Sequence, residues 1–162
     1  MTLLPKLMFQ AIRASFQIRP ALESDAEFIV SFDHIAQSDS RRKTFIRRSI
    51  AAGNCFVATY DERIVGYGVL EYSFYANGFV SMLYVHPEYQ RRGVGTALMR
   101  HLESVCQTAK LFTSTNLSNL PMQSLLAKLG YELSGVIHNL NEGDPELVYV
   151  KNLKRHAPSF SA

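Results

Sequence analysis

The chain has 162 residues, 47% of them hydrophobic and 19% charged, a size and balance that suit one domain with its own buried core. A net charge of +3 is too small to argue for nucleic acid and fits an anionic small molecule or a mildly basic surface. Two cysteines are too few and too scattered for a disulfide framework or a zinc site, and the five histidines show no ligand spacing, so no metal is expected.

Residues 1–14 read as a loose N-terminal extension: a short apolar run broken by Pro5 and Gln10 makes a poor secretion signal. No run reaches the roughly 18 apolar residues of a membrane span. With cysteines expected as buried thiols, Cys55 and Cys106 point to a reducing cytoplasm, and the lack of a long apolar run points away from a membrane. Residues 15–154 are expected to form a single domain and residues 155–162 a frayed tail.

Residues 16–19 alternate as a short strand that Pro20 ends. Ser24 and Asp25 offer caps for a helix carrying Phe28, Ile29, Phe32 and Ile35 on one face. Ser38 and Ser40 precede a very basic helix over residues 41–52, which Gly53 stops. Its Arg41, Arg42, Arg47 and Arg48 read first as a solvated face, and second as a grip on an acidic partner, nucleic acid being the weakest version.

Residues 55–60 form a strand, with Asp61, Glu62 and Arg63 as a tight connection to a longer strand over 64–75. Asn77-Gly78 is the expected hairpin turn before a third strand over 79–85. A helix over 94–108, a strand over 111–115 and a helix over 121–129 ended by Gly130 follow. Strands over 131–137 and 146–153, joined by an acidic loop, complete the order β-α-α-β-β-β-α-β-α-β-β of a mixed α/β domain.

The densest chemical signal is residues 80–102, VSMLYVHPEYQRRGVGTALMRHL. An apolar strand leads through a turn into a basic loop whose Gly93 and Gly95 open an amphipathic helix. Unpaired amides at such a helix start, with arginines alongside, suit a phosphate-bearing ligand. A P-loop would need a lysine and hydroxyl after the last glycine, but Thr96-Ala97 stands there. A Rossmann turn would need a third small residue within an early strand-turn-helix unit, and here the loop follows an antiparallel meander.

Gln90-Arg91-Arg92-Gly93-Val94-Gly95 resembles the Q/R-x-x-G-x-G/A signature of the GNAT superfamily of acyl-CoA-dependent N-acetyltransferases. The flanking Leu83-Tyr84-Val85, His-Pro-Glu-Tyr and Thr-Ala-Leu-Met segments agree, and the element order resembles that family over residues 16–153. The resemblance implies a mostly antiparallel mixed sheet, splayed between its fourth and fifth strands and flanked by about four helices. It implies acetyl-CoA as co-substrate and a primary amine as acceptor, with direct attack in a ternary complex. Homodimers are common in that family.

The resemblance also assigns positions. Backbone amides over Arg91, Arg92, Gly93, Val94, Gly95 and Thr96 would face the pyrophosphate, with Gln90 opening the loop. Glycine at 93 and 95 would avoid collision with phosphate oxygens. Leu83, Tyr84 and Val85 would bond the pantetheine amides by edge pairing, and an amide near Val85 would steady the oxyanion. Asn116, Ser118 and Asn119 would flank the cofactor arm, although Ser118 or Asn119 equally suits a helix cap.

One departure concerns the proton donor. Aligned on Gly130-Tyr131, the family's asparagine is Asn119, its small residue is Met122, and its thiolate-protonating tyrosine is Leu126. Tyr72, Tyr84 and Tyr149 are stand-ins, and water is another. Glu71 is the leading candidate base and His138 a second, with Glu71 as an outward-facing charge the plainer reading. Glu142, Asp144 and Glu146 suggest a cationic acceptor or, more plainly, a solvated hairpin. The alternative to an enzyme is an acyl-CoA-binding sensor or partner module without turnover, supported by Leu126 alone.

Overall fold

A computed structural model describes residues 16–153, so the predicted extension and tail lie outside the described residues. Seven strands form one sheet in the order β1-β2-β3-β4-β5-β7-β6. They are β1 (Gln17–Pro20), β2 (Cys55–Tyr60), β3 (Arg63–Phe74), β4 (Asn77–Val85), β5 (Lys110–Asn116), β6 (Glu132–Ile137) and β7 (Glu146–Asn152). Every neighbouring pair is antiparallel except β4 and β5. Among the described residues five α-helices accompany the sheet: α1 (Ala26–Phe32), α2 (His34–Ser38), α3 (Ser40–Ala51), α4 (Val94–Val105) and α5 (Leu120–Lys128). None is long and apolar enough to cross a membrane.

The two faces are covered by different chemistry. Val57, Tyr67 and Val69 point to a core shared with Ala26, Ile29, Ala36, Ile46 and Ile50 of α1, α2 and α3. On the other face α4 buries Leu98, Met99 and Leu102 against the sheet, and α5 adds Leu126. Alternation along β3 explains the closeness of α4: Gly66 and Gly68 present no side chain to it. A Cβ on either would stand 3.0 Å from Val94 Cγ1 or Leu102 Cδ1. Those two glycines therefore set how near the glycine loop comes to the sheet.

Three expectations are corrected. The helix predicted to run from Asp25 to Ile35 breaks at Asp33, whose carboxylate caps α2 by accepting from the amides of Ile35 and Ala36. Of its supposed apolar stripe Ile29 is fully buried, while Phe28 and Ile35 are exposed. The hairpin between β3 and β4 turns at Tyr75 and Ala76, both with positive φ, and Asn77-Gly78 begins β4 instead. Gly78 is held in the sheet by packing, because a Cβ there would stand 2.5 Å from Cys106 Sγ. Finally, α4 ends at Val105, and Thr108 receives the Gly78 amide at 2.8 Å, tying the end of the helix to β4.

Candidate active site

The parallel pair β4–β5 is only three residues deep, ending at Val80 opposite Thr113. Thr113 Oγ1 donates to the Val80 carbonyl at 2.9 Å and closes the joint. Beyond it β5 stays with β7 out to Asn116, while β4 stays with β3 out to Val85. The sheet therefore forks, and residues 81–85 present one backbone edge to the gap. Ser81 is bulged at the base of the fork, skipped between the Leu70–Val80 and Val69–Met82 pairs, and its buried hydroxyl has no partner among the described residues.

The glycine loop stands at the fork's mouth. His86 Nδ1 accepts from the Glu88 amide at 3.1 Å, fixing the turn at Pro87–Tyr89. Gln90 Nε2 reaches back to the Val85 carbonyl at 3.4 Å. Arg91 adopts φ +62°, and the Arg92 guanidinium lies 5.3 Å over the Tyr89 ring. Gly93, at φ +89°, is the N-cap of α4 and offers no capping side chain. Ala97 is the first residue whose amide returns to Gly93, so the amides of Val94, Gly95 and Thr96 have no acceptor within the helix.

Two loop residues owe their identity to packing as well. The Val94 side chain is buried with Ala58, Val65 and Leu98, leaving only its backbone to the loop. A Cβ on Gly95 would stand 3.2 Å from Leu125 and 3.9 Å from both Leu83 and Val85. Gly95 thus faces the fork itself, a reason for glycine beyond room for phosphate oxygens.

Across the fork, Asn119 caps α5, its Oδ1 accepting from the Met122 amide at 3.2 Å. Asn116 Nδ2 donates to the Asp144 carbonyl at 3.4 Å. The Asp144 carboxylate accepts from the Ser118 amide at 2.9 Å and from the Ser118 hydroxyl at 2.6 Å. Asp144 of the β6–β7 loop is therefore a latch onto the segment beside α5. Leu126 is fully buried among Leu70, Met99, Leu102 and Leu111, so the position aligned with the tyrosine is core.

Tyr84 leaves β4 on the face opposite α4. Its ring stacks on Tyr67 with centroids 6.1 Å apart, and Phe32 lies a further 6.1 Å away. The phenol shares a short hydrogen bond with His34 Nδ1 and accepts from the His34 amide at 3.4 Å. His34 is exposed and lines a cleft of about 380 Å³ with Phe28, Gln37 and His86. Beneath it the fully buried Asp33 accepts from Tyr67 Oη at 2.6 Å and from Arg42 Nε at 2.9 Å. Burial alone would push this carboxyl up, but bonds from Tyr67, Arg42 and the Ala36 amide hold it below the usual carboxylate range. Burial and the Asp33 bond raise the Tyr67 phenol, which stays protonated.

Sequence reasoning missed His34 and its support. The available signal was Asp33 itself, a carboxylate four residues after Ile29 on the face meant for the core. The basic helix was misread in part: Arg42 is spent on Asp33 and Arg47 on Glu27, so the four arginines do not make one free face.

Glu71 is half-buried on β3 opposite Phe79, lining a cleft along α3. His138 is exposed on the loop after β6, and Tyr149 packs on the α5 side. The Tyr72 hydroxyl accepts from the Gln107 amide at 3.0 Å. Burial, then Asp25, pushes the Cys55 thiol up to about 12, so it is no nucleophile. Among the described residues no cluster of three or more His, Cys, Asp or Glu side chains could hold a metal ion.

Comparison with known proteins matches residues 17–131 to the model of the GNAT acetyltransferase family. The chain belongs to that family. A GNAT-family acetyltransferase from Bacillus cereus is 32% identical with a TM-score of 0.82, covering 87% of this chain and 99% of its own. The fold is also that of YncA from Salmonella typhimurium, a putative acetyltransferase solved with acetyl-CoA, at 18% identity and a TM-score of 0.69, covering 88% of this chain and 96% of that one. The human Cysteine-rich protein 2-binding protein is 27% identical over 108 residues, 62% of this chain, and the chain spans only 14% of that protein's length. The mixed sheet, its parallel fork and the helical layers agree with the fold expected from the family resemblance. Family membership makes the GNAT member an acyl-CoA-dependent acetyltransferase by class; the acceptor and the proton path do not follow from it.

Proposed function

We propose that the protein moves an acetyl group from acetyl-CoA to the nitrogen of a primary amine, by direct attack with both substrates bound. The observation that carries this is the fork with different groups on its two sides. The uncapped start of α4 and Gly95 stand on one face of the sheet, and Tyr84 with His34 on the other. A donor gripped by backbone from one side leaves its carbonyl open to an amine from the other.

Acetyl-CoA, when bound, supplies a thioester carbonyl for the amine to attack. The amides of Val94, Gly95 and Thr96 suit its pyrophosphate, with Gln90, Arg91 and Arg92 alongside, and the edge of Leu83, Tyr84 and Val85 suits its pantetheine amides. Asn116 and Asn119 line the opposite wall.

An acceptor arriving as an ammonium must shed two protons before it is an amide. Glu71, half-buried with access to water, takes the first and frees the lone pair. Tyr84 takes the second from the attacking nitrogen while its own phenolic proton passes to His34 Nδ1. One proton goes to the leaving thiolate, through water because Leu126 offers none, and the other to solvent. Asp33 acts by holding the start of α2, and hence His34, against Tyr84.

Thiol release from acetyl-CoA across a panel of primary amines, with mass detection of the acetylated nitrogen, tests this. Release equal to N-acetyl product is expected with at least one amine. Tight acetyl-CoA binding without release above background for any amine would instead support the non-turnover binding module.

A further inference from the structure

The cleft over Glu71 has a distinct chemistry. Its volume is about 550 Å³, and Ser40, Arg41, Thr44, Arg48, Asn54 and Glu71 line it. Positions 41, 44, 48 and 52 follow one stripe of α3, so a whole side of the helix forms its wall. The helix divides its arginines: Arg42 and Arg47 turn toward α1 and α2 and are paired there with Asp33 and Glu27. Arg41 and Arg48 face the cleft. Arg41 touches only the exposed edge of Asp39, at 3.5 Å, and no carboxylate among the described residues lies within 4.0 Å of Arg48.

Position joins this cleft to the reaction. Glu71 pairs with Phe79, and β4 parts from β5 immediately after Val80. Glu71 and Tyr84 sit on the same side of the sheet, away from α4, so the cleft opens on the face left to the acceptor, with Glu71 beside the last joined residues before the fork. Phe79, Phe112 and Phe74, with centroids 4.9 and 5.1 Å apart, form an aromatic shelf at that end.

The charges are wrong for a polycation. Two guanidiniums without full partners, hydroxyls and an amide line the wall, against one carboxylate at the floor. The acidic segment does not reverse this, since none of Glu142, Asp144 and Glu146 lines the cleft and Asp144 is latched to Ser118. We infer that the cleft binds the acceptor, and that the acceptor is a small amine bearing a carboxylate or phosphate, its nitrogen toward Glu71 and its anion on Arg41 and Arg48. Arg41 and Arg48 are seven residues apart, about 10 Å along the helix, so anions at more than one distance from the amine can be met. Both offer forked donors that match carboxylate and phosphate oxygens.

The inference rests on the acetyl-transfer reading for its product, but the site is testable by binding alone. Acetyl-CoA turnover is measured with 4-aminobutanoate and 2-aminoethyl phosphate against butylamine and 1,4-diaminobutane, for the wild type, Arg41→Gln/Arg48→Gln and Arg48→Glu. The wild type is expected to prefer one of the anionic amines over butylamine by at least about tenfold in kcat/KM. Which of the two leads tells carboxylate from phosphate. In the double variant that ratio falls toward one through KM, and Arg48→Glu shifts preference to 1,4-diaminobutane. Equal use of anionic and neutral amines by the wild type, or an equal loss for all four amines in the variants, overturns it. Should no amine be acetylated, calorimetry with the two anionic amines decides: binding abolished in the double variant keeps the site while the transferase reading falls, and absence of binding removes the site as well.

Discussion

The donor side and the acceptor side of the fork are built from different materials. On the donor side the working groups are backbone: three amides of α4 and one edge of β4, with glycine where a side chain would intrude. On the acceptor side they are side chains held by other side chains, His34 on Tyr84 over Asp33, Arg42 and Tyr67, and Arg41, Arg48 and Glu71 around a cleft. Backbone groups need only a conformation, which a short glycine-punctuated motif encodes. Side-chain groups need partners distant in the chain, 34 residues in the case of Asp33 and Tyr67.

The sharpest way to break this contrast is at Asp33. Asp33→Ala should cost about 3–5 kcal/mol, because it strands Arg42 and the Tyr67 hydroxyl and removes the α2 cap. Denaturant unfolding would read the loss, and acetyl-CoA binding to the folded fraction should persist because α4 and β4 are untouched. The pH dependence has a definite sign. A carboxyl held below its usual value contributes stability above about pH 4 that is lost as pH falls through its lowered folded value. The stability gap between wild type and Asp33→Asn should therefore be full near neutrality and narrow as the solution is acidified. A gap independent of pH would remove Asp33 from this role.

At the reacting centre, His34→Asn and Tyr84→Phe should each lower kcat by about a hundredfold while the acetyl-CoA Kd changes little. Because both act on one proton, the double variant should be scarcely worse than either alone. Independent, multiplying losses would show that the pair is not a relay.

The donor side should respond to bulk and not to charge. Gly95→Val forces carbon into Leu125, Leu83 and Val85 and should weaken acetyl-CoA binding by about thirtyfold, the middle of a 1–3 kcal/mol overpacking cost. Arg91→Ala and Arg92→Ala, both at exposed positions, should weaken it by about threefold, an effect that fades with added salt. A larger loss from the arginines than from Gly95→Val would mean that charge, not backbone, carries the donor.

The same division explains what the sequence disclosed. Strands β2, β5 and β7 are legible from alternation to within a residue or two, because one face of each is buried. The glycine loop is legible because Gly93 needs a positive φ. The turn at Tyr75-Ala76 was not, since Asn77-Gly78 is the better local turn, and only contact with Cys106, 28 residues on, explains why Gly78 is in the sheet. The break at Asp33 was hidden for the same reason, its partners lying on α3 and β3. In the acidic loop, the partner of Asp144, Ser118, is likewise not visible in composition.

Asn119 sits on the boundary between the two materials, and the smallest predicted effect concerns it. Its Oδ1 is committed to the Met122 amide, so the cap and any contact with the cofactor arm must be divided between the two ends of one amide group. Asn119→Ala should cost about 1 kcal/mol through the lost cap, a fall of about 2–4 °C in Tm. Asn119→Asp keeps an acceptor for the cap and loses only the donor end, so its Tm should stay near that of the wild type. If the donor end meets the arm, acetyl-CoA binding to Asn119→Asp weakens by about fivefold although the helix start is intact. Binding equal to wild type in that variant would make Asn119 a cap alone, and the wall of the fork on the α5 side would then be backbone like the wall on β4.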